Sequence, residues 1–365
     1  MLDTTKLLKK LEEASLELFA PKVHARYIAS EVWQRIARDE AFFSLVHSKK
    51  RSVLVPKWQG LLGVTKEIAP FHGEYTVLAV DGSQIYYDKH QGPPCYLINI
   101  GGMQISYKKS GSSVSFFSEP FICVQQEQGA AFVDAKREEL ELSWGTSKAQ
   151  AYAGEQNFIY LFDGPLIYFH VNLADEQAQQ EVLLYVSYLE RIAAQKICMA
   201  GYVSFPKSGE LIGLIELAAR DCLQYDAAAL QSLQGLTDTD IAQLFLPAYH
   251  RSQIFESIAP VTYLYTKDTK PYFCFLHVGK EIARVEFPAW MAQDEAVVDL
   301  ICGMILDQAC KGHGYPVALF EAHEQAVVKA ADRHLFYAML AHMSQQRSIA
   351  YIISEKQRKK QNPLL

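Results

Sequence analysis

The sequence predicts an α/β fold, a mixed sheet with flanking helices that follows a helical N-terminal arm. Two observations carry this. Between about residues 74 and 207, runs of strand length and runs of helical periodicity follow one another in the order β-β-β-α-β-α-β. Half of the 365 residues are hydrophobic, enough for a sizeable core and against wholesale disorder.

From about Thr4 to Phe19, Leu7, Leu8, Leu11, Ala14 and Leu18 recur at helical spacing, and a second helical pattern runs from about Val23 to Ala37. These form an arm suited to packing or dimerisation. Three strands are expected next: Thr76–Val80, Cys95–Ile105 with a break at Gly101-Gly102, and Val114–Val124. Gln91-Gly92-Pro93-Pro94 and Lys109-Ser110-Gly111-Ser112 supply the turns. A helix from Val133 to Ala153, a strand at Phe158–Phe162, a helix from Ala174 to Gln195 and a strand at Cys198–Phe205 complete the core. Beyond Lys207 the chain is helical to about Leu246, then a strand meander from Val261 to Glu286, then helices at Glu295–Lys311 and Glu321–Met343. The tail with Lys356-Gln357-Arg358-Lys359-Lys360 is basic.

The net charge of −6 argues against a globally basic nucleic-acid binder, although a local basic groove inside an acidic protein is enough to follow phosphates. Seven scattered cysteines (Cys95, Cys123, Cys198, Cys222, Cys274, Cys302, Cys310) form no Cys-x-x-Cys pair. A zinc site or disulfide framework is therefore not expected, and a reducing cytoplasm fits. Neither a signal peptide nor a membrane span is read.

The chemistry concentrates at two places where an apolar strand runs into aspartate and glycine: Val80-Asp81-Gly82-Ser83 and Phe162-Asp163-Gly164-Pro165. A carboxylate at a strand end is held rigidly where the sheet opens, and the glycine lets a metal, phosphate or neighbouring backbone come close. Two such ends could share a hard cation such as Mg²⁺ or Mn²⁺. The intervening helix offers Glu138, Glu139 and Glu141. With about 100° per residue, Val133, Leu140 and Trp144 form its apolar stripe; Glu141 falls about 80° from the stripe centre and the other two farther round. Glu141 is the better ligand candidate, with Glu138 and Glu139 still open. His323 could ligate a metal through a neutral ring nitrogen or shuttle a proton. Tyr315 could contact a phosphate or stack on a base, and Lys207 could clamp a phosphate. Each motif also has a plainer reading, as a tight turn, a solvated helix charge or a packed side chain.

The order of three strands, an acidic helix and an acidic strand resembles the ribonuclease H-like fold. More closely, the chain resembles the NurA nuclease family through Val80-Asp81-Gly82-Ser83, Arg137-Glu138-Glu139-Leu140-Glu141, Leu161-Phe162-Asp163-Gly164, and Tyr315-Pro316 followed by Ala322-His323. The resemblance spans about Glu74 to Met343. It implies that Asp81, Glu141 and Asp163 bind metal, with Tyr315 and His323 completing the site. It also implies Mn²⁺-dependent cleavage of DNA ends and single strands, by single-strand endonuclease and 5'-3' exonuclease action in double-strand break repair. The implied partners are a HerA-type hexameric ATPase and a second copy of the chain, with no membrane. On this reading residues 1–55 are the arm, 56–350 the nuclease domain with its ribonuclease H-like core at about 74–207, and 351–365 the basic tail.

Two rival classes share these features. A non-catalytic scaffold could dock on a ring ATPase and guide DNA, its acidic residues serving as turns and surface charge. A phosphotransferase also places aspartate-glycine pairs at strand ends, but no Gly-rich phosphate loop of the P-loop kind is present.

Overall fold

A computed structural model describes residues 2–18, 22–47, 55–89, 91, 93–124, 129–168 and 173–347. The basic tail expected at 351–365 lies outside the described residues.

Three helices come first, α1 (Thr4–Leu18), α2 (Val23–Ile36) and α3 (Glu40–His47), followed by short strands β1 (Lys57–Trp58) and β2 (Thr65–Glu67). The central run is β3 (Tyr75–Ile85), β4 (Cys95–Lys108), β5 (Gly111–Val124), α4 (Ala130–Ala149), β6 (Phe158–Asp163), α5 (Glu176–Ala194) and β7 (Met199–Val203). Then come α6 (Glu210–Asp221), α7 (Ala227–Leu233), α8 (Asp238–Ala242), β8 (His250–Ser252), β9 (Phe255–Glu256), β10 (Pro271–His277) and β11 (Ile282–Pro288). The chain continues through α9 (Ala289–Ala292), α10 (Glu295–Lys311), α11 (Val317–Ala326) and α12 (Ala330–Gln346).

One mixed sheet of eleven strands runs β1-β9-β10-β11-β7-β6-β3-β4-β5, with β2 and β8 attached beside β10. Its half from β7 to β5 has the ribonuclease H-like arrangement: β3, β4 and β5 form an antiparallel meander, and β6 joins β3 in parallel, followed by β7. No helix is long and apolar enough to cross a membrane among the described residues.

The strand chemistry follows burial. β6 is apolar from Phe158 to Phe162 because both its faces are covered. Leu78, Val80, Tyr160 and Phe162 pack under α4 and α5 on one face. Val77, Ala79, Ile159 and Leu161 pack under α10 and α11 on the other. Each fully buried apolar side chain of this kind contributes about 1.5–3 kcal/mol. A third core gathers α2 with α6 and strands β9 and β10 through Val32, Trp33, Leu214, Phe255 and Phe273.

The meander expected from Val261 begins only at Pro271, Val261 lying in a 3-10 turn, and among the other boundaries that differ from expectation three have a visible reason. β3 does not stop at Val80 but continues to Ile85, because Asp81 to Ile85 keep pairing with Gly101 to Leu97 of β4. For the same reason β4 is unbroken at Gly101-Gly102. The helix expected over Glu321–Met343 is two helices, since Ser83 Oγ and Asn99 Nδ2 both donate to the Ala326 carbonyl and Val328 N donates to Ser83 Oγ. Those side chains replace the bonds that would have continued the helix.

Candidate active site

The site forms where β6 ends and β3 runs on. The parallel register pairing Val80 with Phe162 makes Asp81 and Asp163 the next residues in line on adjacent strands. Alternation puts both on the face of Ala79 and Leu161, beneath α11. Gly164, at φ +130°, then turns the chain away in a conformation that favours glycine.

Asp81 is 8% exposed, and its Oδ2 lies 2.7 Å from His323 Nδ1 on α11. That helix lies close because Gly101 has no side chain: a Cβ there would come within 2.2 Å of Ala326 N. Asp163 Oδ2 accepts a 3.1 Å hydrogen bond from Tyr315 Oη. The turn before Tyr315 is made by His313 and Gly314, at φ +58° and +119°, and the Tyr315 ring meets Tyr202 edge-on.

Glu141 arrives from the other face. It is 2% exposed, and its Oε1 stands 2.6 Å from where a Gly82 Cβ would be. The carboxylate therefore occupies the space that the glycine leaves open. Tyr160 Oη donates to the Glu141 carbonyl at 3.1 Å, and Gly145 makes room for that ring. On α4 the buried face is Val133, Glu141, Leu142, Gly145, Thr146 and Ala149, not the expected Val133, Leu140 and Trp144 stripe. The small residues let the helix approach the sheet, while Trp144 goes to the rim and packs tilted against Phe117, with ring centroids 4.1 Å apart. Glu139 turns away to accept from Tyr188 Oη at 3.0 Å and from Lys136. The Glu138 charge also acts on Glu141.

The electrostatics register this crowding. Burial, and secondarily the Asp81 charge, pushes the Asp163 carboxyl up to about 6, with Tyr315 and His323 pulling the other way. Burial pushes Glu141 up to about 8, with Arg137 opposing and Asp81 and Glu138 adding to the rise. Burial also raises the Tyr315 hydroxyl, which stays a donor to Asp163.

The structure thus gathers Asp81, Glu141, Asp163, Tyr315 and His323. Lys207 is apart: it is exposed on the loop after β7 and lines a cavity of about 360 Å³ with Pro165, Val203 and Pro206. Arg137, which donates to Glu141 Oε1, is a member of the group that the sequence reading quoted without giving it a part. Its spacing of four residues from Glu141 was the available signal.

A NurA domain profile matches residues 75–328, more than half of the chain and every member of this group. The chain belongs to the NurA family. Solved structures similar to it include a NurA with manganese (11% identity, 83% of this chain and 95% of that chain, TM-score 0.38). A second NurA structure gives 12% identity, 75% and 90% coverage and a TM-score of 0.40. A NurA bound to dAMP and manganese gives 12%, 73%, 88% and 0.34. No curated protein matches the chain.

Whether this NurA site suits a divalent cation is a question of its donors. No three His, Cys, Asp or Glu side chains form a ready metal cage among the described residues. Each carboxylate has taken its own partner instead: Asp81 His323, Asp163 Tyr315, and Glu141 Arg137. The donor set is still that of a hard cation, three carboxylates and an imidazole at one strand end. Two of the carboxyls are held protonated more readily than usual, a burden that a nearby dication would relieve. The donor chemistry, though not a formed cage, is of the kind that suits such an ion.

Proposed function

We propose that this chain is a metal-dependent deoxyribonuclease whose site is Asp81, Glu141 and Asp163, with His323 and Tyr315. The observation that carries this reading is the delivery of three carboxylates, two buried and Asp163 half-buried, from β3, α4 and β6 to one opening of the sheet. Asp81, Glu141 and Asp163 would hold Mn²⁺, with Mg²⁺ as the second choice, and His323 adds a nitrogen donor that favours Mn²⁺. When bound, such an ion lowers the pKa of a water and offsets charge on the scissile phosphate.

The side chains have separate tasks. Tyr315 fixes the rotamer of Asp163 through its hydroxyl. His323, hydrogen-bonded to Asp81 through Nδ1, is oriented by that carboxylate and presents its other nitrogen, the usual support for a ligating or proton-shuttling imidazole. Lys207, exposed beside Pro165, would meet a strand phosphate entering past the end of β6. The finer reading rests on the family: single-strand endonuclease and 5'-3' exonuclease action in double-strand break repair, as a homodimer working with a HerA-type ATPase.

The test is Asp81→Asn assayed on end-labelled oligonucleotides with Mn²⁺. Cleavage is expected to fall by about 10²–10³-fold, the usual loss for a single electrostatic stabiliser. The circular dichroism spectrum should be unchanged. Wild-type cleavage by Asp81→Asn would end this proposal.

A further inference from the structure

Arg137 stands one helical turn before Glu141 on α4, and its Nη1 donates to Glu141 Oε1. The two side chains share one niche: a Gly82 Cβ would lie 2.6 Å from that oxygen and 2.8 Å from Arg137 Cγ. Arginine and glutamate therefore enter the carboxylate group together. The arginine side chain is 22% exposed and the glutamate side chain 2%. The guanidinium charge acts beyond its partner, interacting with Asp81 and Glu138 and opposing protonation of Asp163.

Its bonding is unusual for a structural arginine. A guanidinium that braces a fold commonly holds a carboxylate through two parallel N–H bonds. Here a single nitrogen is engaged with Glu141, and Nε is buried without a hydrogen-bond partner among the described residues. The guanidinium is thus tied to Glu141 through one nitrogen only.

We propose that Arg137 is a positioning residue that sets how tightly the site takes its divalent cation, because its guanidinium and the ion compete for the same Glu141 oxygen. The inference rests on the nuclease reading only in taking Asp81, Glu141 and Asp163 as the ion's ligands. A fixed positive charge among those ligands opposes a dication, and its removal strengthens binding. The arginine thus trades metal affinity for a carboxylate already pointed at Gly82.

The experiment is calorimetric titration of the full chain with MnCl₂ after chelator treatment, for wild type and Arg137→Met. The variant is expected to bind Mn²⁺ about tenfold tighter, the effect of losing one opposing charge. The Mn²⁺ concentration giving half-maximal cleavage should fall in parallel. Equal or weaker Mn²⁺ binding by the variant overturns the proposal, since an arginine that only braced α4 would not move affinity upward. Should Arg137→Met fail to fold, Arg137→Gln carries the same expectation. Wild type giving no heat with Mn²⁺ would instead defeat the nuclease reading, and that result is obtained before any variant is made.

Discussion

Gly82 shapes the carboxylate group by what it omits. Asp81 before it faces α11, and the space where its own side chain would stand is taken by Glu141 Oε1 and Arg137 Cγ. In Gly82→Ala the new methyl would collide with side chains, Glu141 Oε1 and Arg137 Cγ and more softly Ile100 Cδ1, not with backbone, so the chain should fold while Glu141 is displaced. A catalytic group misplaced by about 1 Å typically costs about 10²-fold in rate. We therefore expect cleavage to fall by roughly that factor while the melting temperature stays close to wild type; full activity would show that Glu141 need not stand at Gly82. At this scale the sequence was partly legible. Aspartate followed by glycine after an apolar run marked both strand residues, since a rigid carboxylate beside an open backbone leaves that signature. The helical wheel favoured Glu141 among three glutamates but could not decide it, because the large apolar residues it relied on are not the ones that meet the sheet. α4 meets the sheet through Gly145, Thr146 and Ala149, whose small side chains carry little weight on a helical wheel.

α11 brings His323 to the site, and close backbone contact holds it there. The Ala326 carbonyl receives Ser83 and Asn99, and Gly101 of β4 lies directly beneath residues 325 and 326. A side chain at position 101 would press on main chain 2.2–2.5 Å away, which cannot rotate aside. Gly101→Val should therefore push α11 off the sheet, at about 1–3 kcal/mol for overpacking. It should also weaken Mn²⁺ binding by withdrawing His323 from Asp81. Thermal unfolding and metal titration read the two effects separately, and a variant as stable as wild type would show that the helix has room to yield. The elements themselves were largely visible in the periodicity, and α10 begins and ends where its apolar spacing does. What local pattern could not supply were ends fixed by distant partners. Ser83 and Asn99 stop α11 from more than two hundred residues away, and continued pairing with β4 carries β3 past Asp81.

The whole molecule is unified by one sheet, and a buried ionic cluster crosses it beside the site. Arg284 on β11 donates to Glu210 on α6 and to Glu286 Oε1 at 2.7 Å, while Glu286 Oε2 accepts from Leu166 N, three residues past Asp163. All three charged residues are 1–2% exposed, and the guanidinium lies 3.5 Å over the Phe273 ring. From the sequence, this stretch reads as part of a strand meander, its Arg284 and Glu286 face assigned neither to water nor to packing. The structure covers that face because β7 and β10 flank β11 and α6 lies across it, a tertiary outcome that alternation cannot express. Removing the cation alone should be severe, because two carboxylates would remain in an apolar interior. Arg284→Met is expected to cost about 3–5 kcal/mol in urea unfolding. Adding Glu210→Gln and Glu286→Gln to that variant should recover a large part, since the loss is uncompensated charge and not lost packing. Because Glu286 also holds Leu166, the single variant should lose activity at urea concentrations where wild type is still fully folded. A single variant within 1 kcal/mol of wild type, on the order of an exposed ion pair, would mean that water reaches these carboxylates and that the cluster does not tie the far strands to the candidate site at the end of β6.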